Sequence, residues 1–131
     1  MSFIAKLQLQ NEDEMNVIRC DFRFNQTIDV TGKAASRPMG GTINILLSST
    51  NHASILEWMI STHQKKSGRI TFITYDTMNK LKTLEFENAL CVVYNETFDP
   101  GGKYPITLEI TLSAQIIRLE DTVFKNNWPG L

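Results

Sequence analysis

Cysteine and histidine each occur only twice in the 131 residues, and that scarcity removes most site chemistry at the outset. Cys20 and Cys91 lie far apart in separate apolar, strand-like runs, so neither can form half of a zinc-type cysteine pair. Both read as reduced core residues and not as a disulfide. His52 and His63 are eleven positions apart, roughly 16 Å along a helix at about 1.5 Å per residue, too far to share one metal ion. The sequence has no HExxH, no CxxC and no histidine–carboxylate ligand spacing. It also lacks a G-x-S-x-G nucleophile elbow. No catalytic residue, metal or cofactor is therefore expected, and the chain is read as a protein that is not an enzyme.

Long hydrophobic runs are missing too. Residues 1–10 alternate apolar and polar side chains, unlike the continuous apolar core of a secretory signal. No stretch approaches the roughly 20 apolar residues of a spanning helix. The expectation is a chain made in the cytoplasm, kept there or exported by a route that needs no signal peptide, and not inserted in a membrane. Charge of one sign is absent as well: 13 Lys and Arg oppose 14 Asp and Glu, giving a net charge of −1 without a basic block or an acidic tail. Nucleic acid is excluded as a partner on that balance. The same near-neutrality removes the long-range repulsion that would keep identical copies apart.

What is present is an ordinary globular composition, 42% hydrophobic and 21% charged, that suits one domain over residues 1–131. A chain of this length can bury a core without disulfides or a structural metal. Ile106, Leu108, Ile110, Leu112, Ala114 and Ile116 alternate with Thr107, Glu109, Thr111, Ser113 and Gln115, which is a strand with one dry and one wet face. Residues 18–24 repeat the pattern, with Ile18, Cys20, Phe22 and Phe24 opposite Arg19, Asp21 and Arg23. Residues 3–9 and 42–48 are further strands of this kind. In residues 89–94 both faces are apolar, Ala89, Cys91 and Val93 on one and Leu90, Val92 and Tyr94 on the other. Such a strand needs cover from a second layer, such as a helix, or from a neighbouring subunit.

Residues 51–64 are expected to form one helix, with Ile55, Trp58 and Met59 on a face that Leu56 and Ile60 widen. Thr50, Asn51 or Ser54 can cap its start, Ser54 and Glu57 stand at capping-box spacing, Lys65 and Lys66 suit its negative end, and Gly68 can stop it. Turns fall at residues 11–14, at 76–80 and at Asp99-Pro100-Gly101-Gly102. The one long irregular stretch is 26–41, and loops of that length are usually functional or disordered. The sum is a mainly β protein, an antiparallel β-barrel or sandwich of about eight strands with one inserted α-helix.

Remaining candidates for chemistry have plainer readings. Glu85 and Glu87 share a strand face, and Asp13 and Glu14 share a turn, so a carboxylate pair is geometrically possible; charges alternating with Leu84 and Phe86 are also what a protected solvent face looks like. Gly40 and Gly41 lack the frame of a phosphate loop and lead into a strand. Phe22, Phe24, Phe72, Tyr75, Phe86 and Tyr94 could stack bases, but Lys6, Arg19, Arg23 and Arg69 are scattered over separate elements and make no groove for nucleic acid.

Several segments in order resemble one family. They are Met1 through Leu7 (Met-Ser-Phe-Ile-Ala-Lys-Leu), Thr31-Gly32-Lys33 leading through Arg37-Pro38 to Gly40-Gly41, and Ser49-Thr50-Asn51 followed by Leu56-Glu57-Trp58-Met59. Lys82-Thr83-Leu84-Glu85-Phe86 with Ala89, then Phe98-Asp99 and Asn127-Trp128, complete the set over nearly the whole chain. In their order and spacing these resemble the Hcp (TssD) tube proteins of type VI secretion, particularly the compact Bacteroidetes variants. The resemblance implies a small β-barrel with one helix, related to phage tail tube proteins, that forms hexameric rings stacked into a hollow tube. It further implies a contractile sheath and a spike protein as partners, expulsion of the tube by sheath contraction, secretion without a signal peptide, and effector cargo carried in the lumen. No fused toxin domain is expected in this chain.

Set against that implication, the long loop with Thr31, Gly32, Lys33, Ser36, Arg37 and Pro38 is the expected ring-stacking element. Ala89, Cys91 and Val93, together with unpaired strand edges, are the expected lateral interface, with cover by the chain's own helix as the alternative. Thr107, Glu109, Thr111 and Ser113 are the expected lumen lining, although any solvent-facing strand has this character. From the residues alone a monomeric ligand-binding β-barrel module stays open as the other reading, and a small hydrolase built on carboxylate pairs as a third.

Overall fold

Alternating side chains put most of the chain into strands. The computed structural model describes residues 3–48, 53–74, 76–126 and 128. In chain order these form β1 (Phe3–Leu9), β2 (Met15–Asn25), β3 (Met39–Ser48), α1 (Ala53–Ile60), β4 (Lys66–Thr74), β5 (Lys80–Phe98), β6 (Ile106–Leu119) and β7 (Thr122–Lys125). Every pairing is antiparallel, in the order β3-β2-β1-β4-β5-β6-β7, and β3 also pairs with β6. That last pairing closes six strands into a barrel, and β7 is an extra strand on the far end of β6. Closure satisfies backbone groups that an open sheet would leave at its edges. The expected mainly β fold with one inserted helix is what forms, with seven strands among the described residues.

The barrel is filled by the inward members of each alternation: Leu7, Leu9, Ile43, Ile45, Leu47, Ile70, Leu84, Phe86, Leu108, Ile110 and Leu112. Each such side chain contributes about 1.5–3 kcal/mol by leaving water. Ile55 and Trp58 of α1 join the same cluster, and the Trp58 indole Nε1 donates to the carbonyls of Gln64 (3.0 Å) and Ala89 (3.1 Å). The helix is thereby fastened over β5, and it is the chain's own helix that covers Ala89. Gly68 of β4 is pressed so closely on β1 that a Cβ there would stand 2.5 Å from the Gln8 carbonyl oxygen.

Several expectations need correction. Among the described residues the helix spans Ala53–Ile60 and ends short of the expected 64; residues 61–63 turn back so that Gln64 can reach Trp58, and His63 is exposed in that turn. Thr50, Asn51, His52 and Tyr75 lie outside the described residues. Ser54 sits inside the helix, where its hydroxyl donates to Glu12 Oε1 at 2.7 Å and does not cap. Lys66 and Gly68 belong to β4; Lys66 Nζ meets Glu12 Oε2 at 2.7 Å and lies 5.8 Å from the Trp58 ring centroid. In β2, Ile18 is a bulge residue, so Val17 takes the core side with Cys20 and Phe22. In β6 the alternation reverses after Ala114, and Gln115 and Ile117 are buried while Ile116 is not. The turns at 11–14, at 76–80 and after Phe98 form as expected.

Two measurements test these fastenings. Trp58→Phe keeps an aromatic ring but removes the donor and the pyrrole half of the indole, leaving two carbonyls short of a partner and a small void, and is expected to lower unfolding free energy by about 1–3 kcal/mol in urea titration. Burial works to raise the Glu12 pKa, but the hydrogen bonds from Lys66 and Ser54 and the Lys66 charge prevail and leave it below the usual carboxylate range. A depressed folded pKa gives stability that is present above the unfolded value and lost as pH falls through the folded one. Glu12→Gln should therefore cost about 0.5–1 kcal/mol at neutral pH, and the difference from wild type should vanish in acid.

Candidate functional site

The strands β2, β3, β6 and the distal half of β5 form one curved wall whose outer face is polar. Register places Asp21, Asn44, Thr111 and Val93 in one row across it, and Arg19, Leu46, Glu109 and Asn95 in the next. Thr107 lies beyond the second row between Ser48 and Thr97, and Ser113 lies on the other side of the first, beside Thr42 and Leu90. Thr107, Glu109, Thr111 and Ser113 are thus brought together on this face, each half-buried by its neighbours. Asn44 Nδ2 donates to Asp21 Oδ1 at 2.8 Å and Thr111 Oγ1 donates to Asn44 Oδ1 at 2.7 Å, a chain of bonds that ties three strands through their side chains. Arg19 and Glu109 stand 3.9 Å apart in the open, a pair worth little in stability.

Two stretches of this wall pair on one side only among the described residues. β2 is bonded to β1 at residues 15–17 and then leaves it, so residues 18–25 pair with β3 alone. β5 is bonded to β4 up to Ala89, and residues 90–98 pair with β6 alone. These are the two opposite margins of the same four-stranded wall. Ala89 and Cys91 point inward and are buried. Val93 does not share their face: a bulge between Cys91 and Val93 turns it outward opposite Thr111, where it is exposed, and Tyr94 takes the core side instead.

The irregular part of the stretch 26–41 is shorter than expected and is ordered. Residues from Met39 onward are already β3, and 26–38 fold back on themselves as a small hairpin with an Ile28–Ala34 bridge. Ala35 N donates to Thr27 O at 2.7 Å, Asp29 N to Lys33 O at 2.8 Å, and Thr27 N to Ser36 Oγ at 3.0 Å. At the tip the Asp29 carboxylate accepts from Thr31 N, Thr31 Oγ1 and Lys33 N, and these bonds, the Thr31 hydroxyl first, hold its pKa below the usual range. Gly32 takes φ +85°, which a side chain would resist. Thr31, Gly32, Lys33, Arg37 and Pro38 are exposed and Ser36 half-buried. Sequence reasoning missed the two residues that stand out most: Val30, with a relative exposure of 104%, and Ile28, 68% exposed. Apolar residues inside an otherwise polar, turn-rich segment were the available signal.

Elsewhere the chemistry is quiet. Burial pushes the Cys20 thiol up to about 12 and the Cys91 thiol up to about 11, so neither is a thiolate at neutral pH. Glu85 and Glu87 flank Arg118 at 3.6 and 3.9 Å on an open strand face. Asp13 and Glu14 are exposed in the first turn. Among the described residues no group of three or more His, Cys, Asp or Glu side chains could hold a metal ion, and no helix is long and apolar enough to cross a membrane.

Comparison with known proteins gives a consistent result. The family model for hemolysin coregulated protein Hcp (TssD) matches residues 1–129. The structure of Hcp1 from Flavobacterium johnsoniae superposes with a TM-score of 0.87 at 29% identity, covering 94% of this chain and 99% of that one. Hcp1 from Salmonella typhimurium has the same fold at 9% identity, with a TM-score of 0.73 over 95% of this chain and 92% of that one. The PVC sheath/tube terminator of an extracellular contractile injection system is similar in fold at 19% identity, with a TM-score of 0.53 over 90% and 92% of the two chains. No curated protein matches the chain.

The tip geometry can be tested alone. Asp29→Ala removes the acceptor for three donors at an exposed hairpin tip, so the barrel's denaturation midpoint should not move. Amide exchange at Thr31 and Lys33 should accelerate several-fold. Because the Asp29 pKa is depressed, acidification through its folded pKa should lower the protection of these amides, taken against the intrinsic rate at the same pH, to the variant's level, and unchanged protection in both cases would remove the carboxylate from the account.

Proposed function

Because the chain belongs to the Hcp (TssD) family, we propose that it is the inner-tube subunit of a type VI secretion system, closing into hexameric rings that stack into a hollow tube. The observation that carries this reading is the pair of one-sided margins on a single wall, residues 18–25 of β2 and 90–98 of β5. Unsatisfied backbone groups on a strand margin are a template for another chain. Since β2 and β5 run in opposite directions within the wall, rotation about an axis along the strands brings the β2 margin of one copy antiparallel against the β5 margin of the next. The two margins differ, so the contact is head-to-tail, and such a contact closes into a ring when its rotation permits. Six copies follow from the family and not from the interface.

In this arrangement the bonded polar face with Thr107, Glu109, Thr111 and Ser113 lines the lumen. Its charges, Arg19 and Arg23 against Asp21 and Glu109, offset one another, which suits passage of effector cargo of varied composition. Cys91 and Ala89 support the lateral contact from within, and Val93 reaches it directly. The 26–38 hairpin, with Thr31, Gly32, Lys33, Ser36, Arg37 and Pro38, stacks one ring on the next, with Val30 as its apolar contact. The tube is assembled in the cytoplasm, sheathed by a contractile sheath, tipped by a spike protein and expelled when the sheath contracts. The role is structural and calls for no catalytic group.

Light scattering on a sizing column, with negative-stain images of the same fractions, tests the reading. Rings with a central hole and the mass of six chains are expected; a strict monomer at high concentration overturns it. Val30→Asp, and separately deletion of residues 33–38, should leave rings intact and abolish stacked tubes. Tubes that persist in both variants would move stacking away from the hairpin.

A further inference from the structure

One apolar groove has no occupant among the described residues. Where β2 leaves β1 after Val17, the barrel wall opens into a groove of about 560 Å³ lined by Ala5, Cys20, Phe22, Phe72 and Leu81, with the cations Arg19 and Lys82 beside them. It runs along the inner side of the one-sided β2 margin, since Cys20 and Phe22 are the core-facing residues of that strand. At the opposite margin of the wall, the register of β5 beyond its bulge sets Tyr94 opposite Ile110, Glu96 opposite Leu108 and Phe98 opposite Ile106. Leu108 and Ile110 are core residues, so Glu96 and Phe98 project on the same side of the wall as the groove. Phe98 nevertheless remains 65% exposed, because the barrel's own core ends before it.

We infer that the groove receives residues 96–98 of β5 from a second copy of this chain, with Phe98 entering the apolar floor and Glu96 facing Lys82. This rests on the ring reading above and adds the side-chain lock to it. Backbone pairing of two margins is indifferent to sequence, whereas alternate side chains entering pockets select the partner and the register. Charge complementarity favours this occupant: Lys82 lines the groove, and the segment offers the Glu96 carboxylate, which accepts one bond from the Tyr94 hydroxyl at 3.2 Å, beside one large exposed ring. The hairpin tip is a weaker fit because its carboxylate is already engaged by three donors.

The test is a charge swap read by native mass at a fixed concentration, with circular dichroism and melting to establish that each variant is folded. Lys82 and Glu96 are both exposed in the single chain, so the substitutions should not disturb the barrel. Lys82→Glu alone and Glu96→Lys alone should each reduce the ring fraction by more than about tenfold, because like charges then meet across the contact. The double variant should restore it. Phe98→Ser should melt like the wild type and also lose rings. Single variants that assemble as well as the wild type, or a folded double variant that stays monomeric, overturn the groove assignment while leaving wild-type rings in place. A wild type that is itself monomeric removes the ring reading and the lock with it.

Discussion

The long ribbon of β5 and β6 is the constraint on which the rest of the structure depends. β5 has 19 residues and β6 has 14, too many for one wall of a small barrel, and the ribbon serves two walls in succession. It changes wall at Asn88, where φ is +54° and the backbone N–H donates to Ser67 Oγ at 3.2 Å. Across the ribbon Asn88 Nδ2 donates to Gln115 Oε1 at 2.8 Å, so both strands turn the same corner together. The sign of the turn is the burial pattern: Phe86 and Ala89 are both inward although three residues apart, as are Ala114 and Ile117. Before the corner β5 pairs with β4; beyond it β4 has ended, and the far half of the ribbon belongs to the wall of β2 and β3. The one-sided margin of β5 is a direct product of that corner.

This also explains what was legible beforehand. Strict alternation marks the part of each strand that stays in one wall, so Leu108 to Ala114 and the core side of β3 could be read from residue type alone. Parity fails wherever the chain inserts a residue or turns a corner, at Ile18, Asn88 and Val92, because a bulge carries no side-chain signature of its own. That is why alternation groups Val93 with Ala89 and Cys91 although it lies on the other face. The Ile55, Trp58 and Met59 face marks the helix, but its end goes with a side-chain bond from Trp58 to the Gln64 carbonyl that no cap residue announces. The length and composition of the 26–41 stretch mark it as unusual but do not reveal the order within 26–38, since that order rests on one aspartate accepting three bonds and on backbone bonds across the loop.

A second set of contacts fixes how the walls are held at one end. Glu12 in the first turn accepts from Ser54 of α1 and from Lys66 of β4, and Lys66 lies over the Trp58 ring. Three elements far apart in sequence meet at one carboxylate, which is partly desolvated and therefore stronger as a partner than a surface charge. At the other end Asn126 Nδ2 donates to Gly40 O at 2.9 Å and Ala114 O at 2.8 Å, while Phe124 stacks edge-on against Phe24 at 4.7 Å. These contacts tie the root of the 26–38 hairpin to the last strand. The protruding element is thus anchored in the barrel at its base and left free of it at its tip.

The distribution of covered and uncovered margins is the strongest argument that the uncovered ones have a use. β7 pairs with residues 116–119 of β6, β4 covers β5 up to Ala89, and α1 fastens its indole to the Ala89 carbonyl where β4 ends. A chain that covers its strand margins with an extra strand and a helix has the means to cover the rest, and selection against aggregation favours doing so. Among the described residues, the wall with the bonded polar face stays one-sided at residues 18–25 and 90–98, its two margins. Neither carries the proline or run of lysines that blunts a margin meant to face water. One is flanked by an apolar groove and the other ends in an exposed phenylalanine. Two such margins on one subunit, opposite in direction and unlike in side chains, are what a head-to-tail contact between identical copies requires.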